Sequence, residues 1–346
     1  MDLHPTEDQR MLEDAARRFL ADRHPLGVAR AAAGKPFEAR LAQWREIAGQ
    51  GWPALLAPPD QDGLGLGMRE AWIVAEAAGR HLLSLPLAAN MVLLPTLCAA
   101  GAAGQAAHWA GAVMAGDDYF ADAAIRPDGS AFIEGAGAGV RALAAHRVGD
   151  AVVRLELHAP TPGAAGLDPT MPVARVVQPE VLDSVDLEVA PGTWERLRTR
   201  LRLLRSAELL GAASSALDMA AAHARERRQF DRAIGANQAI KHRLAEDWMA
   251  LDDARLAGVA AVAAHDAGAA SAGRDSLFAP LLAVEAGRRA AQNAIQVHGA
   301  LGVTWECDAH LYLKRVLRLA AALQAEVSRA ELLERIWEGG DGRKAA

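Results

Sequence analysis

Cysteine, aromatic side chains and net positive charge are all scarce in this 346-residue chain. Its two cysteines, Cys98 and Cys307, are too few for a disulfide scaffold or a cysteine-based zinc site. They fit a reducing compartment, so a cytoplasmic location is expected. Aromatics make up 5% of a chain that is 51% hydrophobic, so the apolar half is aliphatic, mostly Ala and Leu. Both are good helix formers, whereas strands favour β-branched and aromatic residues, which argues against an all-β fold. Lys and Arg total 37 against 43 acidic residues, a net charge of −6. That balance argues against a general nucleic-acid surface, but it permits a local basic patch for an anionic ligand.

A signal peptide is not expected either, because MDLHPTEDQRML has acidic residues and no apolar core. One long stretch, Leu82–Gly116, has no Asp, Glu, Lys or Arg. Length alone would allow a membrane span. Pro86 and Pro95 break it, however, and Asn90, Gln105 and His108 interrupt it, so buried helices joined by turns are expected.

The remaining pattern divides the chain into parts. Residues 1–110 read as helical. Thr6 with Gln9 forms a capping box, after which Met11, Leu12, Ala15, Phe19 and Leu20 share a helical face. A second helix carries Leu41, Trp44 and Ile47. A loop covers Pro58–Gly67, and a third helix covers Arg69–Leu83. Residues 111–191 are the β region, with short runs at Tyr119–Ile125, Ser130–Ile133, Gly139–Ala144, Ala151–Leu157, Val173–Val177 and Asp186–Ala190. Turn signals at Pro127–Gly129 and Val148–Asp150 separate them. Residues 192–337 return to long helices: Leu201–Arg225, a stripe of Leu244, Trp248, Leu251, Val259 and Val262, then Phe278–Val297 and Tyr312–Trp337. Residues 338–346 read as a flexible tail.

Two local motifs carry chemistry. The first runs from Arg225 to His242, RERRQFDRAIGANQAIKH. The second runs from Gln296 to Arg315, QVHGALGVTWECDAHLYLKR. Arg227 can hold a pyrophosphate by charge-assisted hydrogen bonds, and Phe230 offers a flat apolar surface to a ring. Gln238 supplies donors and an acceptor. Gly299 and Gly302 allow close backbone approach to a phosphate or ribose. Arg227 and Phe230 also have ordinary readings as a solvated cation and a core ring, and His298 as a packed turn histidine. Glu306, Tyr312 and Arg315 read better as a structural hydrogen-bonded cluster than as catalytic groups.

Both motifs resemble the acyl-CoA dehydrogenase family. So do Trp44, Gly51–Trp52, Gly63–Gly67 with Glu70, and the run Val185–Pro191, in the same order along nearly the whole chain. The resemblance implies a mainly α fold with a small β domain: an N-terminal helical domain, a reduced, β-barrel-like middle domain and a C-terminal four-helix bundle. It also implies FAD, an acyl-CoA substrate, and a dimer or tetramer in which Arg227, Phe230, Gln238, Gln296, Gly299 and Ala300 hold the ADP half of a neighbour's FAD. Ala300 and Asp231 stand where the family has glycines.

The departures are specific. The family's usual glutamate base is matched by Gln324 and its alternative position, on an earlier helix, by Leu201. Neither can accept a proton near neutral pH. Glu326 is two residues from Gln324, which turns a helical side chain by about 200°; Glu208 is the other nearby carboxylate. The family's T-E-P-x-x-G-S-D loop has no counterpart between Ile125 and Ser130, and Gly139-Val-Arg-Ala142 replaces its W-I-T element. No catalytic residue and no metal ligand is therefore assigned. The resemblance points to the short, non-catalytic subunit of a bacterial heteromeric enzyme of lipid or steroid catabolism. The alternatives are a self-sufficient homomer with a displaced base and a flavin-free scaffold.

Overall fold

The computed structural model describes residues 3–340 except Pro36, Asp150 and Ala165. Helix α1 (Glu7–Arg23) starts on the expected capping box: Gln9 N donates to Thr6 Oγ1 at 3.2 Å, and Thr6 N donates to Gln9 Oε1 at 3.1 Å. Such caps are worth about 1 kcal/mol. The buried face is narrower than expected. Ala16 and Leu20 are buried, whereas Met11 is 63% exposed and Ala15 is exposed, because the first turns of α1 are solvated.

A short helix not foreseen in the sequence, α2 (Leu26–Ala32), comes next. It is followed by α3 (Leu41–Ala48) and α4 (Met68–Arg80), with Pro58–Gly67 as a connection. The charge-poor stretch forms α5 (Leu87–Ala99) and α6 (Gln105–Ala115). Pro95 sits inside α5 and does not end it. The helix is buried nearly all round, so packing outweighs the hydrogen bond that proline cannot donate. Among the described residues, no helix is long and apolar enough to cross a membrane.

Six strands follow: β1 (Ala121–Ile125), β2 (Ala131–Glu134), β3 (Ala142–Arg147), β4 (Val152–His158), β5 (Val173–Val176) and β6 (Val181–Glu188). They form one sheet in the order β5-β2-β1-β3-β4-β6. Among the described residues of these six strands, β1 and β3 are the one parallel pair of neighbours. The third strand begins at Ala142, not Gly139, because Gly139 turns the chain at φ +78°. Asp150, in the expected Val148–Asp150 turn, lies outside the described residues.

The C-terminal half consists of α7 (Thr193–Glu226), a hairpin of β7 (Arg228–Gln229) and β8 (Arg232–Ala233), then α8 (Gln238–Asp266), α9 (Ala272–His298), α10 (Ala309–Glu326) and α11 (Arg329–Gly340). The expected stripe on α8 holds at Leu251, Val259 and Val262 but fails at Trp248, which is 61% exposed. Asp247 is buried in its place. Arg289 Nε reaches its carboxylate at 2.9 Å and Asn293 Nδ2 at 2.8 Å. A paired carboxylate can occupy an interior position that hydrophobic periodicity assigns to an apolar residue. In the expected tail, α11 reaches Gly340, and residues 341–346 lie outside the described part.

The fold is thus mainly α with a small β sheet, as the composition and motifs imply. The chain divides into two compact units. One comprises residues 1–30, 72–83 and 202–346, and the other residues 31–71 and 84–201. In the first, α4 and α7 cross at reciprocal glycines. A Cβ on Gly79 would lie 2.0 Å from the Glu208 carbonyl oxygen, and one on Gly211 would lie 2.0 Å from that of Glu76. In the second, Trp44 and Trp52 are buried, and Trp44 Nε1 donates to Val113 O at 3.1 Å.

Candidate functional site

Both motifs lie in the first unit, and a ring stack joins the helix that leads into the first motif to the second. His223 at the end of α7 stacks on His298 at the end of α9, with ring centroids 4.5 Å apart. The β7–β8 hairpin follows α7, and the turn Gly299–Val303 follows α9. His298 Nδ1 donates to Ala294 O at 2.7 Å, which fixes the outer ring of the stack. Burial lowers the His223 pKa, and His298 and Arg227 lower it further, which favours the neutral form of His223. His298 is therefore a packed turn histidine. Its partner His223 lies outside the motif, one helical turn before Arg227; that i,i+4 spacing is the signal that would have found it.

The hairpin is tied internally. Arg228 Nη2 donates to Asp231 O at 2.8 Å, and Arg232 Nη2 to Asn237 Oδ1 at 2.6 Å. Arg227 is not among the tied residues. Its side chain is exposed and makes no hydrogen bond or ion pair among the described residues. Phe230 is 95% exposed, so it is not a core residue. It sits at φ +50° beside Asp231 at φ +62°, a two-residue turn with both central residues in the left-handed region. Gln238 opens α8, and its side chain is exposed.

On the second motif, Gln296, Gly299 and Ala300 are all exposed. Gly299 adopts φ +64°, ψ −140°, a conformation open essentially to glycine alone, and nothing lies within 4 Å of where its Cβ would be. The backbone there is open. Leu301, Val303 and Trp305 beside it are large, apolar and exposed. An exposed guanidinium, a bare ring, two free amides and an uncovered glycine turn suit the anionic, aromatic ADP end of a dinucleotide.

The second candidate region is where a base would stand. Leu201 is half-buried on α7, and Gln324 is exposed at the end of α10. Glu326 turns to α7, where Oε1 lies 3.9 Å from Arg202 Nε and Oε2 lies 3.8 Å from Arg205 Nη1. Glu208 Oε1 accepts from Arg315 Nη1 at 2.9 Å and lies 3.5 Å from Arg318 Nη2. Both carboxylates are therefore engaged by guanidiniums. Arg315 is fully buried and also donates to Leu83 O at 3.1 Å. Tyr312 donates to Arg80 O at 2.9 Å, and burial pushes its phenol up to about 12. Tyr312 and Arg315 are structural, as expected. Glu306 is exposed and does not join them, because it lies in the turn before α10.

Comparison with known proteins covers both halves. The chain matches the acyl-CoA dehydrogenase N-terminal domain over residues 6–117 and the acyl-CoA dehydrogenase C-terminal domain over residues 196–326. It is 30% identical over 344 residues to the acyl-CoA dehydrogenase IpdE2 of Mycobacterium tuberculosis, covering 96% of this chain and 99% of that protein. Among solved structures, the ChsE4–ChsE5 complex of Mycobacterium tuberculosis aligns at a TM-score of 0.80 and 23% identity, over 99% of both chains. The Tcur3481–Tcur3483 steroid ACAD variant aligns at 0.78 and 23% identity, over 98% of this chain and 99% of that one. At this identity the structural matches establish the fold alone.

Proposed function

This chain belongs to the acyl-CoA dehydrogenase family, and on that premise we propose that it is the subunit that completes the FAD site of a homologous catalytic partner. The pair would carry out α,β-dehydrogenation of an acyl-CoA thioester in lipid or steroid catabolism, as a cytoplasmic heterotetramer. The carrying observation is that Arg227, Phe230, Gln238, Gln296, Gly299 and Ala300 are all exposed while the two base positions, Leu201 and Gln324, hold no carboxylate. Two solved neighbours are named as pairs of chains, one of them as a steroid enzyme, which supports the heteromeric reading.

FAD, when bound, accepts the hydride that leaves the acyl β-carbon. This chain would supply binding and orientation. Arg227 would pair with the pyrophosphate, Phe230 would cover a ring, the amides of Gln238 and Gln296 would take polar edges, and Gly299 would admit a phosphate or ribose to the backbone. The α-proton would pass to the partner's carboxylate.

Co-expression with a homologous subunit that carries the glutamate tests this. The pair is expected to purify together and yellow, and the chain alone without stoichiometric flavin. Replacing exposed Arg227 with Gln should lower flavin affinity of the pair about tenfold or more, the scale of one charge-assisted hydrogen bond. The proposal fails if this chain by itself binds FAD stoichiometrically and dehydrogenates an acyl-CoA.

A second reading keeps the base in this chain. It is favoured by Glu326, the carboxylate that reaches α7, the helix bearing the alternative base position. Under that reading Glu326→Gln abolishes turnover and retains flavin. Glu208 is tested in the same way, and unchanged turnover in both variants removes the reading.

A further inference from the structure

A cavity of about 330 Å³ lies where α9, the end of α10 and α11 meet. That volume is at the lower end of ordinary small-molecule pockets, roughly 300–1,000 Å³. Its floor is aliphatic. Val327 and Leu332 belong to a small core cluster with Leu277, and Leu281, Val284 and Leu323 complete the apolar wall.

The polar groups of the lining are mostly cations and amides. Arg289 is committed to Asp247, and Arg329 stands 3.6 Å from Glu285, the acidic residue of the lining. Arg288 is exposed and makes no hydrogen bond or ion pair among the described residues, so its charge is available. Gln292 and Gln324 add two exposed carboxamides. Gln324 therefore opens onto this cavity, while Glu326 faces α7.

We infer that the cavity binds a small aliphatic or alicyclic carboxylate. Its hydrocarbon body lies on the Leu281–Val284–Leu332 wall, and its carboxylate is held by Arg288 with help from the two amides. A cationic ligand is disfavoured, because Glu285 is already opposed by Arg329. A bare inorganic anion would leave the aliphatic wall uncovered. This inference needs neither flavin nor a partner subunit, so it stands or falls apart from the proposed function.

The test is calorimetric titration of the full chain with decanoate, 1-decanol and decylammonium, each below its micelle threshold. Decanoate should bind saturably at one site, at least tenfold tighter than decylammonium. Arg288→Gln should weaken decanoate about tenfold and leave decanol unchanged. Gln292→Trp, a bulky side chain at the rim, should weaken both decanoate and decanol. Both replaced residues are exposed, and circular dichroism checks that the variants fold. Absence of saturable decanoate binding, equal binding of decylammonium, or a decanoate affinity that neither variant changes would overturn the inference.

Discussion

Replacing Glu208 with Gln should cost about 3 kcal/mol of stability. One carboxylate oxygen, Glu208 Oε1, serves Arg315 Nη1 at 2.9 Å and Arg318 Nη2 at 3.5 Å. Arg315 is fully buried and Arg318 is 8% exposed, while the Glu208 side chain is 15% exposed. Glutamine keeps the shape and the acceptor but removes the charge. Unit charges about 4 Å apart interact by about 4 kcal/mol at an effective dielectric of about 20. Removing one partner of a buried ion pair typically costs about 3–5 kcal/mol, because the other charge stays buried without its counter-charge. The retained acceptor and the residual exposure of Glu208 place the expectation at the lower end. Arg315 also donates to the carbonyls of Leu83 and Leu82, which hold it in place and prevent its escape to water. Equilibrium urea unfolding measures the change, with Glu331→Gln as the control. Glu331 pairs with Arg335 on the surface, both side chains 44% exposed, and should change stability by no more than about 1 kcal/mol. A loss below about 1 kcal/mol for Glu208→Gln would refute the electrostatic reasoning.

Other outcomes follow from single positions. Gly211→Ala would place a methyl 2.0 Å from the Glu76 carbonyl oxygen, so α4 and α7 must separate. A cost of about 3 kcal/mol, or loss of soluble protein, is expected, whereas Gly273→Ala, a helical site facing open space, should gain about 0.5–1 kcal/mol in the same urea series. Asp231→Gly should raise the melting temperature, because it relieves a left-handed residue at φ +62° for a gain of about 1 kcal/mol. Acid should weaken the fold. Burial lowers the pKa of His158, which is 1% exposed, below its ordinary value near 6.5. The folded state then binds fewer protons than the unfolded chain. Stability is flat above about pH 6.5 and falls below it, by at most about 1.4 kcal/mol per pH unit, until the folded group itself protonates. Urea midpoints between about pH 7.5 and 5.5 should show a shallower fall in His158→Gln, and equal slopes would refute the assignment.

Much of this molecule can be read one residue at a time. Thr6 with Gln9 marks the first helix because a capping box is a local hydrogen-bond pattern, and it forms as expected. The charge-poor stretch at 82–116 forms buried helices because prolines and polar residues interrupt it too often for a membrane span. Pro95 departs from the local pattern, since the burial that lets a helix continue through proline comes from other parts of the chain. Trp248 departs from it for a related reason. Periodicity assigns the interior to apolar residues and cannot see that Arg289 and Asn293 wait on α9 to take Asp247 inside.

The same division holds for the site. Sequence alone determined the family, the presence of Arg227, Phe230, Gln238, Gln296 and Gly299 in register, and the lack of a carboxylate at Leu201 and Gln324, because these are facts of residue type and order. Tertiary structure decided what those side chains can do. It stacked His223 on His298 across segments far apart in the chain, left Phe230 almost wholly in solvent, and turned Glu326 to the arginines of α7 while Gln324 opened onto a separate cavity. Burial, pairing and exposure depend on what the rest of the chain brings to a residue, and no local pattern carries that information.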